Sequence, residues 1–255
     1  MLISAGVDIG SRSIGFALLD AEQGKLLHQE IIDSGYDPIG RARDHVAQFE
    51  FDQLVATGYG RHAAQAKFAD EVITEIRAYA RGARFLHPQI RTILDIGGQD
   101  TKAILLDDIG AVLEFQMNEK CAAGTGKFLE VMAVALGYTL EEFVNAPFAA
   151  QGESIRVSSM CTVFAESEVV SLLHKGVDRC AVARSLHESI AERVIGMLKR
   201  IGAETPLMFA GGGAKNRFLC HILQERTGWE FIVPEEPQTV GAVGAAREAA
   251  RQLLK

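Results

Sequence analysis

The sequence predicts an α/β protein with two related halves, on the strength of two observations. Short apolar strands alternate with amphipathic helices along the 255 residues, which is the pattern of an α/β fold. A strand–turn–strand segment then occurs twice, as VDIGSRSIGFALLD over residues 7–20 and as LDIGGQDTKAILLD over residues 94–107. Six of these fourteen positions are identical at a constant spacing of 87 residues. The shared Asp–Ile–Gly and Leu–Leu–Asp favour a duplication over a chance likeness between two hairpins.

The first half is predicted to open with strands that are separated by turns rich in Gly, Ser and Asp. The predicted strands cover residues 2–8, 16–19, 25–32 and 54–56, and the predicted helices cover residues 41–49 and 71–79. In the second of these helices, Val72, Ile76 and Tyr79 recur at three- and four-residue spacing, which is typical of an amphipathic helix.

The second half is predicted to be mainly helical after its strand–turn–strand segment. Its predicted helices cover residues 128–136, 164–174, 182–201 and 218–225, its strands cover 207–210 and 230–233, and a final helix ends at 254. We expect this final helix to pack back on the first half. The predicted lobes are therefore residues 1–88 plus 237–255 and residues 89–236.

Composition and charge exclude several classes of protein. The net charge is −7 and there is no basic run, so a nucleic-acid surface or an anionic membrane patch is not expected. No apolar stretch approaches the roughly 20 residues that cross a bilayer. The chain starts without a basic segment and soon reaches Asp8, unlike a signal peptide. We expect a cytoplasmic protein.

The repeated hairpin suits phosphate chemistry. Asp8 ends a predicted strand and is followed by a turn of small residues, which lets backbone N–H groups approach phosphate oxygens closely. An aspartate at this place can hold Mg²⁺, usually through water. The alternative is a tight hairpin whose aspartate supports its own backbone. The second copy at Asp95 favours the phosphate interpretation, because two such hairpins facing each other across a cleft can clamp a nucleotide.

Gly211–Gly212–Gly213 follows a predicted strand and opens a helix. Such a run permits close backbone approach, and a helix N-terminus favours negative charge. The alternative is a strand-to-helix turn with positive φ, which one glycine would satisfy. The run lacks the spacing of the dinucleotide fingerprint.

The segment 123–127 resembles a P-loop only superficially, since Cys121 and Phe128 stand where Gly and Ser or Thr are required.

Two of the four cysteines, Cys121 and Cys161, directly precede predicted helices. A helix N-terminus favours the thiolate form that binds metals. The alternative is a pair of buried structural cysteines, but Gly, Ser and Thr surround both. Cys180 and Cys220 lie at core-like helical spacing and are interpreted as packing residues. Two ligand cysteines per chain cannot complete a Cys₄ iron–sulfur site, so such a cluster would need two chains.

Taken together, these motifs resemble the activator component of 2-hydroxyacyl-CoA dehydratases, which is grouped with the ATPase subunits of benzoyl-CoA reductase. The matching stretches span nearly the whole chain: residues 8–11, 57–61, 95–100, 118–133, 158–169 and 211–216. The resemblance implies the ribonuclease-H-like fold of the acetate kinase, sugar kinase, chaperone and actin ATPases. It also implies a homodimer with one 4Fe–4S cluster bridging the subunits, ligated by Cys121 and Cys161 of each chain.

By the same resemblance, the protein couples ATP hydrolysis to delivery of one low-potential electron. The expected acceptor is a dehydratase or reductase component, and the expected donor is a ferredoxin or flavodoxin. Asp8 and Asp95 would organise Mg²⁺, and Gln99 or Asp100 would position the attacking water. The residues expected to bind ATP are Gly10, Ser11, Arg12, Ser13, Ile14, Gly15, Gly97, Gly98, Gly211, Gly212, Gly213, Asn216 and Gln238.

The first hairpin departs from the family pattern. Members often carry Thr or Ser at the position of Arg12 and Lys at the position of Gly15. Arg12 could replace the lysine charge, because guanidinium matches phosphate geometry, or it could mean altered ATP use. Two rival functions follow: a small-molecule, sugar-type kinase with Asp95 or Asp100 as base, and a nucleotide sensor without turnover. The kinase would leave the cysteine segments unexplained.

Overall fold

The predicted duplication appears in the order of the strands. The computed structural model describes residues 1–151, 155–157 and 161–255. The strands of the first sheet are β1 (Ile3–Ile9), β2 (Ser13–Asp20), β3 (Lys25–Asp33), β4 (Gln53–Gly58) and β5 (Glu71–Val72). Those of the second are β6 (Thr92–Ile96), β7 (Thr101–Leu106), β8 (Val112–Asn118), β9 (Leu207–Ala210) and β10 (Phe231–Ile232). The strand orders are β3-β2-β1-β4-β5 in the first sheet and β8-β7-β6-β9-β10 in the second. The two orders are equivalent, which confirms the α/β fold with duplicated halves.

Helices follow the strands in both halves. They are α1 (Pro38–Val46), α2 (Arg61–Gln65), α3 (Glu75–Leu86), α4 (Gly126–Ala135), α5 (Leu140–Asn145), α6 (Thr162–His174), α7 (Arg179–Arg200), α8 (Arg217–Thr227) and α9 (Val240–Leu253), with short 3₁₀ turns at Ala146–Ala149 and Gly212–Lys215. Within the described residues, no helix combines the length and the apolar character that a membrane crossing requires.

Contacts divide the chain into two compact units. The first unit contains Met1–Ile93, Ile104–Phe115 and Val233–Lys255, and the second contains Leu94–Ala103 and Gln116–Ile232. The segment Ile104–Phe115, which the sequence assigned to the second lobe, lies with the first unit. One reason is that the Arg84 guanidinium donates to the Asp108 carbonyl at 2.7 Å.

The start of the helix predicted over residues 71–79 is wrong, whereas residues 75–79 are helical. Glu71 and Val72 form β5, which pairs in parallel with β4, and α3 begins at Glu75. The N–H of Ile73 also donates to the Ala56 carbonyl at 3.0 Å. The apolar spacing of Val72, Ile76 and Tyr79 suggested a helix, but Val72 pairs in the sheet and only the other two residues lie in α3.

The middle strands of the first sheet form a rigid support. Val7, Phe16 and Leu54, on β1, β2 and β4, have no exposed surface, and α9 packs on these strands. The final helix thus packs on the first half, as expected. Strand ends in such a support hold polar side chains in defined positions.

Candidate functional site

The first Asp–Ile–Gly hairpin joins β1 to β2. Asp8 pairs with Gly15 across these strands. The turn is closed by the N–H of Gly10, which donates to the Ser13 carbonyl at 3.0 Å. Asp8 is buried, whereas Arg12 at the tip of the turn is exposed. The hairpin therefore holds one carboxylate beneath an exposed turn.

Two glycines surround the Asp8 carboxylate. Gly58 ends β4, the parallel neighbour of β1, and has a positive φ of 81°. A Cβ at Gly58 would overlap Asp8 Oδ1, and a Cβ at Gly241 of α9 would overlap Asp8 Oδ2. The carboxylate therefore fits only because both backbones lack a side chain. Arg61, which follows, donates to the Gly58 carbonyl at 3.0 Å.

The second hairpin repeats this turn and adds a buried ammonium. The N–H of Gly97 donates to the Asp100 carbonyl at 2.9 Å, at positions 87 residues after Gly10 and Ser13. Lys102 Nζ lies 3.0 Å from Asp95 Oδ2 and 2.8 Å from Asp100 Oδ1. The side chains of Lys102 and Asp95 are each only 1% exposed.

Lys102 was not among the residues predicted for the site. A signal was present, because a lysine interrupts the apolar strand TKAILL and a buried lysine requires a paired charge. The lysine binds the carboxylates of Asp95, which was predicted to organise Mg²⁺, and of Asp100, a candidate for positioning the attacking water. One ammonium between two carboxylates keeps both oxygens oriented.

The glycine run packs on the second hairpin as Gly58 packs on the first. Gly211 directly follows β9 with a φ of 77°, and a Cβ there would overlap Asp95 Oδ1. A Cβ at Gly213 would collide with the side chain of Ile96. Packing thus accounts for two of the three glycines. Gly212 is exposed.

Asn216 is engaged at both ends of its amide. Its Oδ1 accepts from the N–H of Leu219 at 2.9 Å and caps α8, and its Nδ2 lies 3.0 Å from His187 Nε2. His187 Nδ1 lies 2.8 Å from the Ala183 carbonyl. Burial lowers the pKa of His187 to about 4. The neutral ring therefore donates from Nδ1 and accepts the Asn216 amide at Nε2.

The second hairpin is hydrogen-bonded directly to the start of α4. The N–H of Gly126 donates to the Gly97 carbonyl at 2.9 Å. The N–H of Lys127 donates to the Gly98 carbonyl at 2.8 Å. Helix N-termini have N–H groups without intrahelical partners, and here two of them bind the turn of the hairpin.

The segment that carries Cys121 lies one step further along the same network. The Thr101 hydroxyl, on β7, donates to the Gly124 carbonyl at 2.6 Å. The Asn118 amide donates to the carbonyls of Cys121 and Ala123 at 2.9 and 3.1 Å. The hairpin turn and the cysteine segment are therefore connected by a short series of hydrogen bonds.

The four cysteines occupy different environments. Cys161 is exposed and immediately precedes the first residue of α6, as predicted. Cys121 is half-buried and, contrary to the prediction, does not directly precede a helix, because α4 begins only at Gly126 with Thr125 as its cap. Burial raises the pKa of Cys220 to about 11, and its thiol lies 3.3 Å from the Ala214 carbonyl. Cys180 lies in α7 and is half-buried. Ser158, Ser159 and Met160, which belong to the motif around Cys161, lie outside the described residues.

The predicted nucleotide-binding residues, and Gln99 and Asp100, which were predicted to position water, also differ in exposure. Exposed are Ser11, Arg12, Gln99 and Gly212; half-buried are Gly10, Ser13, Gly97, Gly98, Asp100 and Gln238; buried are Ile14, Gly15, Gly211, Gly213 and Asn216. The exposed and half-buried members lie mostly in the two turns, where a ligand can reach backbone N–H groups.

Known proteins match this chain over nearly its full length. The family model of the BadF/BadG/BcrA/BcrD ATPase family matches residues 5–249. The chain belongs to this family. It is therefore an ATPase. The activator of lactoyl-CoA dehydratase from Anaerotignum propionicum is 42% identical over 254 residues, which cover 96% of each chain.

Solved structures agree with the family assignment. Component A of (R)-2-hydroxyglutaryl-CoA dehydratase from Acidaminococcus fermentans matches with a TM-score of 0.91 and 35% identity, covering 100% of both chains. The activator of 2-hydroxyisocaproyl-CoA dehydratase from Clostridium difficile, with bound ADPNP, matches with a TM-score of 0.88 and 38% identity, covering 98% of this chain and 95% of that one. A ROK family glucokinase from Streptomyces griseus, at 13% identity and a TM-score of 0.61, covering 98% and 99%, shares the fold alone.

Proposed function

We propose that this protein is the ATP-hydrolysing activator of a 2-hydroxyacyl-CoA dehydratase or a related reductase, to which it delivers one low-potential electron. Relatives named as such activators match the chain over nearly its whole length. The two Asp–Ile–Gly hairpins and the two cysteine segments of the sequence support this proposal.

The hairpins supply the groups for ATP hydrolysis. Asp8 and Asp95 organise Mg²⁺, because carboxylate oxygens are ligands that Mg²⁺ prefers. Gln99 or Asp100 positions the attacking water. Lys102 fixes the Asp95 and Asp100 carboxylates, so that neither has to reorient during the reaction.

Cys121 and Cys161 of two copies supply four thiolates in a homodimer. The donor set fits a 4Fe–4S cluster, because the Cys161 thiol is exposed directly before α6 and Cys121 is half-buried in the segment that leads to α4. Such a cluster supplies one-electron transfer when bound, with a ferredoxin or flavodoxin as the donor.

The observation that carries the proposal is the hydrogen-bonded series from the hairpin to the cysteine segment. The carbonyls of Gly97 and Gly98 accept the first N–H groups of α4, and Thr101 holds Gly124. ATP and ADP would favour different positions of the hairpin turn, and the network would transmit that preference to Cys121. A sugar kinase would give this connection no role.

The test is iron analysis of protein purified without oxygen. We expect brown protein with about four irons per dimer. Cys121→Ser and Cys161→Ser should lose the colour, while the matched variants Cys180→Ser and Cys220→Ser should keep it. Removal of the iron should weaken dimerisation in sedimentation experiments, because a shared metal site also contributes association free energy. Iron-free protein from iron-replete cells would contradict the proposal.

A further inference from the structure

A groove on the first unit is lined by four arginines. Arg81 and Arg84 come from α3 and Arg247 and Arg251 from α9, and the groove has a volume of about 290 Å³. Ile109 in the turn between β7 and β8 also lines it. None of these residues belongs to the hairpins or to the cysteine segments.

The two helices bring the arginines together because their backbones touch. A Cβ at Gly82 of α3 would overlap the Val240 carbonyl, and a Cβ at Gly244 of α9 would overlap the Ala78 carbonyl. Because the two helices approach so closely, long side chains on their adjacent faces lie next to each other. The arginines are therefore crowded by the packing of the fold.

One buried carboxylate orients two of the guanidinium groups. Glu248 is 8% exposed and pairs with both Arg81 and Arg251. Arg251 donates to it from two nitrogens, at 3.0 and 2.6 Å. A bidentate pair of this kind fixes the plane of the guanidinium, so these side chains are held before any ligand arrives.

The other two lining arginines have neutral partners. Arg84 donates to the backbone carbonyls of Asp108 and Ile90, and the Arg247 guanidinium lies over the Phe85 ring at 5.0 Å. Four positive charges thus share the groove with the Glu248 carboxylate, in a chain whose net charge is −7.

The crowding has an electrostatic consequence. The pKa of Arg81 is lowered to about 10, first by burial and then by the positive charges of Arg251, Arg77 and Arg247. A bound anion would relieve this repulsion, as an opposite charge favours the charged form of its neighbours.

We infer that this groove is a binding site for a small molecule that carries a diphosphate group. Guanidinium forks match phosphate oxygens bidentately. They reach the groove from two helices, which suits two linked phosphates better than one. The exposed side chain of Ile109, at 87%, offers an apolar contact to the organic part of the molecule.

The size of the groove favours a small molecule over a polypeptide. Ligand pockets typically measure about 300–1,000 Å³, and this groove lies at the lower end. Its position on α9 also relates it to the ATPase site, because Gly241 at the other end of that helix contacts Asp8. The site stands independently of the proposed electron transfer.

Calorimetry with inorganic pyrophosphate tests the inference. The titration is carried out without nucleotide in magnesium-free buffer, because the proposed ATP site holds phosphates through Mg²⁺, so that the groove dominates the binding. We expect Arg247→Gln to weaken pyrophosphate binding at least about tenfold, as expected for loss of a charge-assisted contact, and Arg247→Lys to weaken it less. Arg251→Gln should act in the same direction.

The matched control is Arg43→Gln, which removes an exposed arginine of α1 that pairs with Asp44. It should leave the affinity unchanged. Equal affinities in Arg247→Gln and wild type would overturn the site. Inorganic phosphate binding as tightly as pyrophosphate would overturn the diphosphate assignment. A poly-glutamate peptide binding more tightly than pyrophosphate would make the groove a protein-docking surface instead.

Discussion

The two Asp–Ile–Gly hairpins share a backbone and differ in charge. Both close the turn with the same hydrogen bond, and a glycine with positive φ packs against each aspartate. Position 102 is a buried lysine that bridges two carboxylates. Its counterpart 87 residues earlier is Gly15, where an added Cβ would lie 3.3 Å from the Cβ of Ala242 in α9.

The residue at this equivalent position, Gly15 in the first hairpin and Lys102 in the second, has a different role in each half of the duplicated fold. In the first unit this position is Gly15, whose lack of a side chain allows α9 to pack closely on the strand. In the second unit the same position carries the ammonium that orders Asp95 and Asp100. The two halves therefore share the backbone geometry of the hairpin, while the lysine that bridges two carboxylates is present in the second hairpin and not in the first.

Replacing Lys102 should have the largest effect. Lys102→Met leaves the buried Asp95 and the partly buried Asp100 without their shared ammonium, and we expect a loss of about 3–5 kcal/mol in the free energy of unfolding. Gly15→Ala, the matched change in the first hairpin, should cost about 1 kcal/mol or less. Urea denaturation measures both. Similar losses in the two variants would break the proposed division between the hairpins.

Adding a methyl group at the glycines should reveal what the hairpins have in common. Gly58→Ala and Gly211→Ala each place a Cβ against an aspartate at positive φ, so each should destabilise the protein by about 1–3 kcal/mol. Gly212→Ala, at the exposed neighbour, is the control and should cost less. If Gly211→Ala behaved like Gly212→Ala in thermal unfolding, the close packing on Asp95 would be disproved.

Mild acid should loosen the glycine loop of the second unit. The folded pKa of His187 is about 4, below its usual value near 6.5, so the unfolded chain binds the proton first. Stability from this residue is complete above the unfolded pKa and declines as the pH falls towards the folded pKa. The loss should reach about 1 kcal/mol between pH 7 and 5.5.

The His187→Gln variant isolates that contribution. It should flatten the pH dependence of the unfolding free energy, whereas the same change at the exposed His62 should leave the slope unaltered. An unchanged slope in His187→Gln would show that the buried ring does not resist protonation.

Much of this arrangement could be predicted from the sequence. The repeat at 87 residues identified the duplication and both aspartates, because local turn chemistry recurs at fixed positions. The glycines at 58 and 241 could not be assigned to Asp8, since their contacts depend on strands and helices far apart in the chain. Strand β8 had a usable signal in the alternation of Leu113, Phe115 and Met117, although these side chains are exposed.

Iron release to a chelator, measured without oxygen, tests most directly whether nucleotide bound at the second hairpin controls the segment that carries Cys121. In wild-type protein we expect the rate with Mg-ATP to differ from that with Mg-ADP by about tenfold, within the usual range of coupling between sites. Thr101→Val, which removes the hydroxyl that holds Gly124, should reduce this difference. Thr227→Val, which removes a hydroxyl bound to the Leu223 carbonyl in α8, should preserve it. Equal release rates with both nucleotides, in protein that hydrolyses ATP normally, would contradict the account.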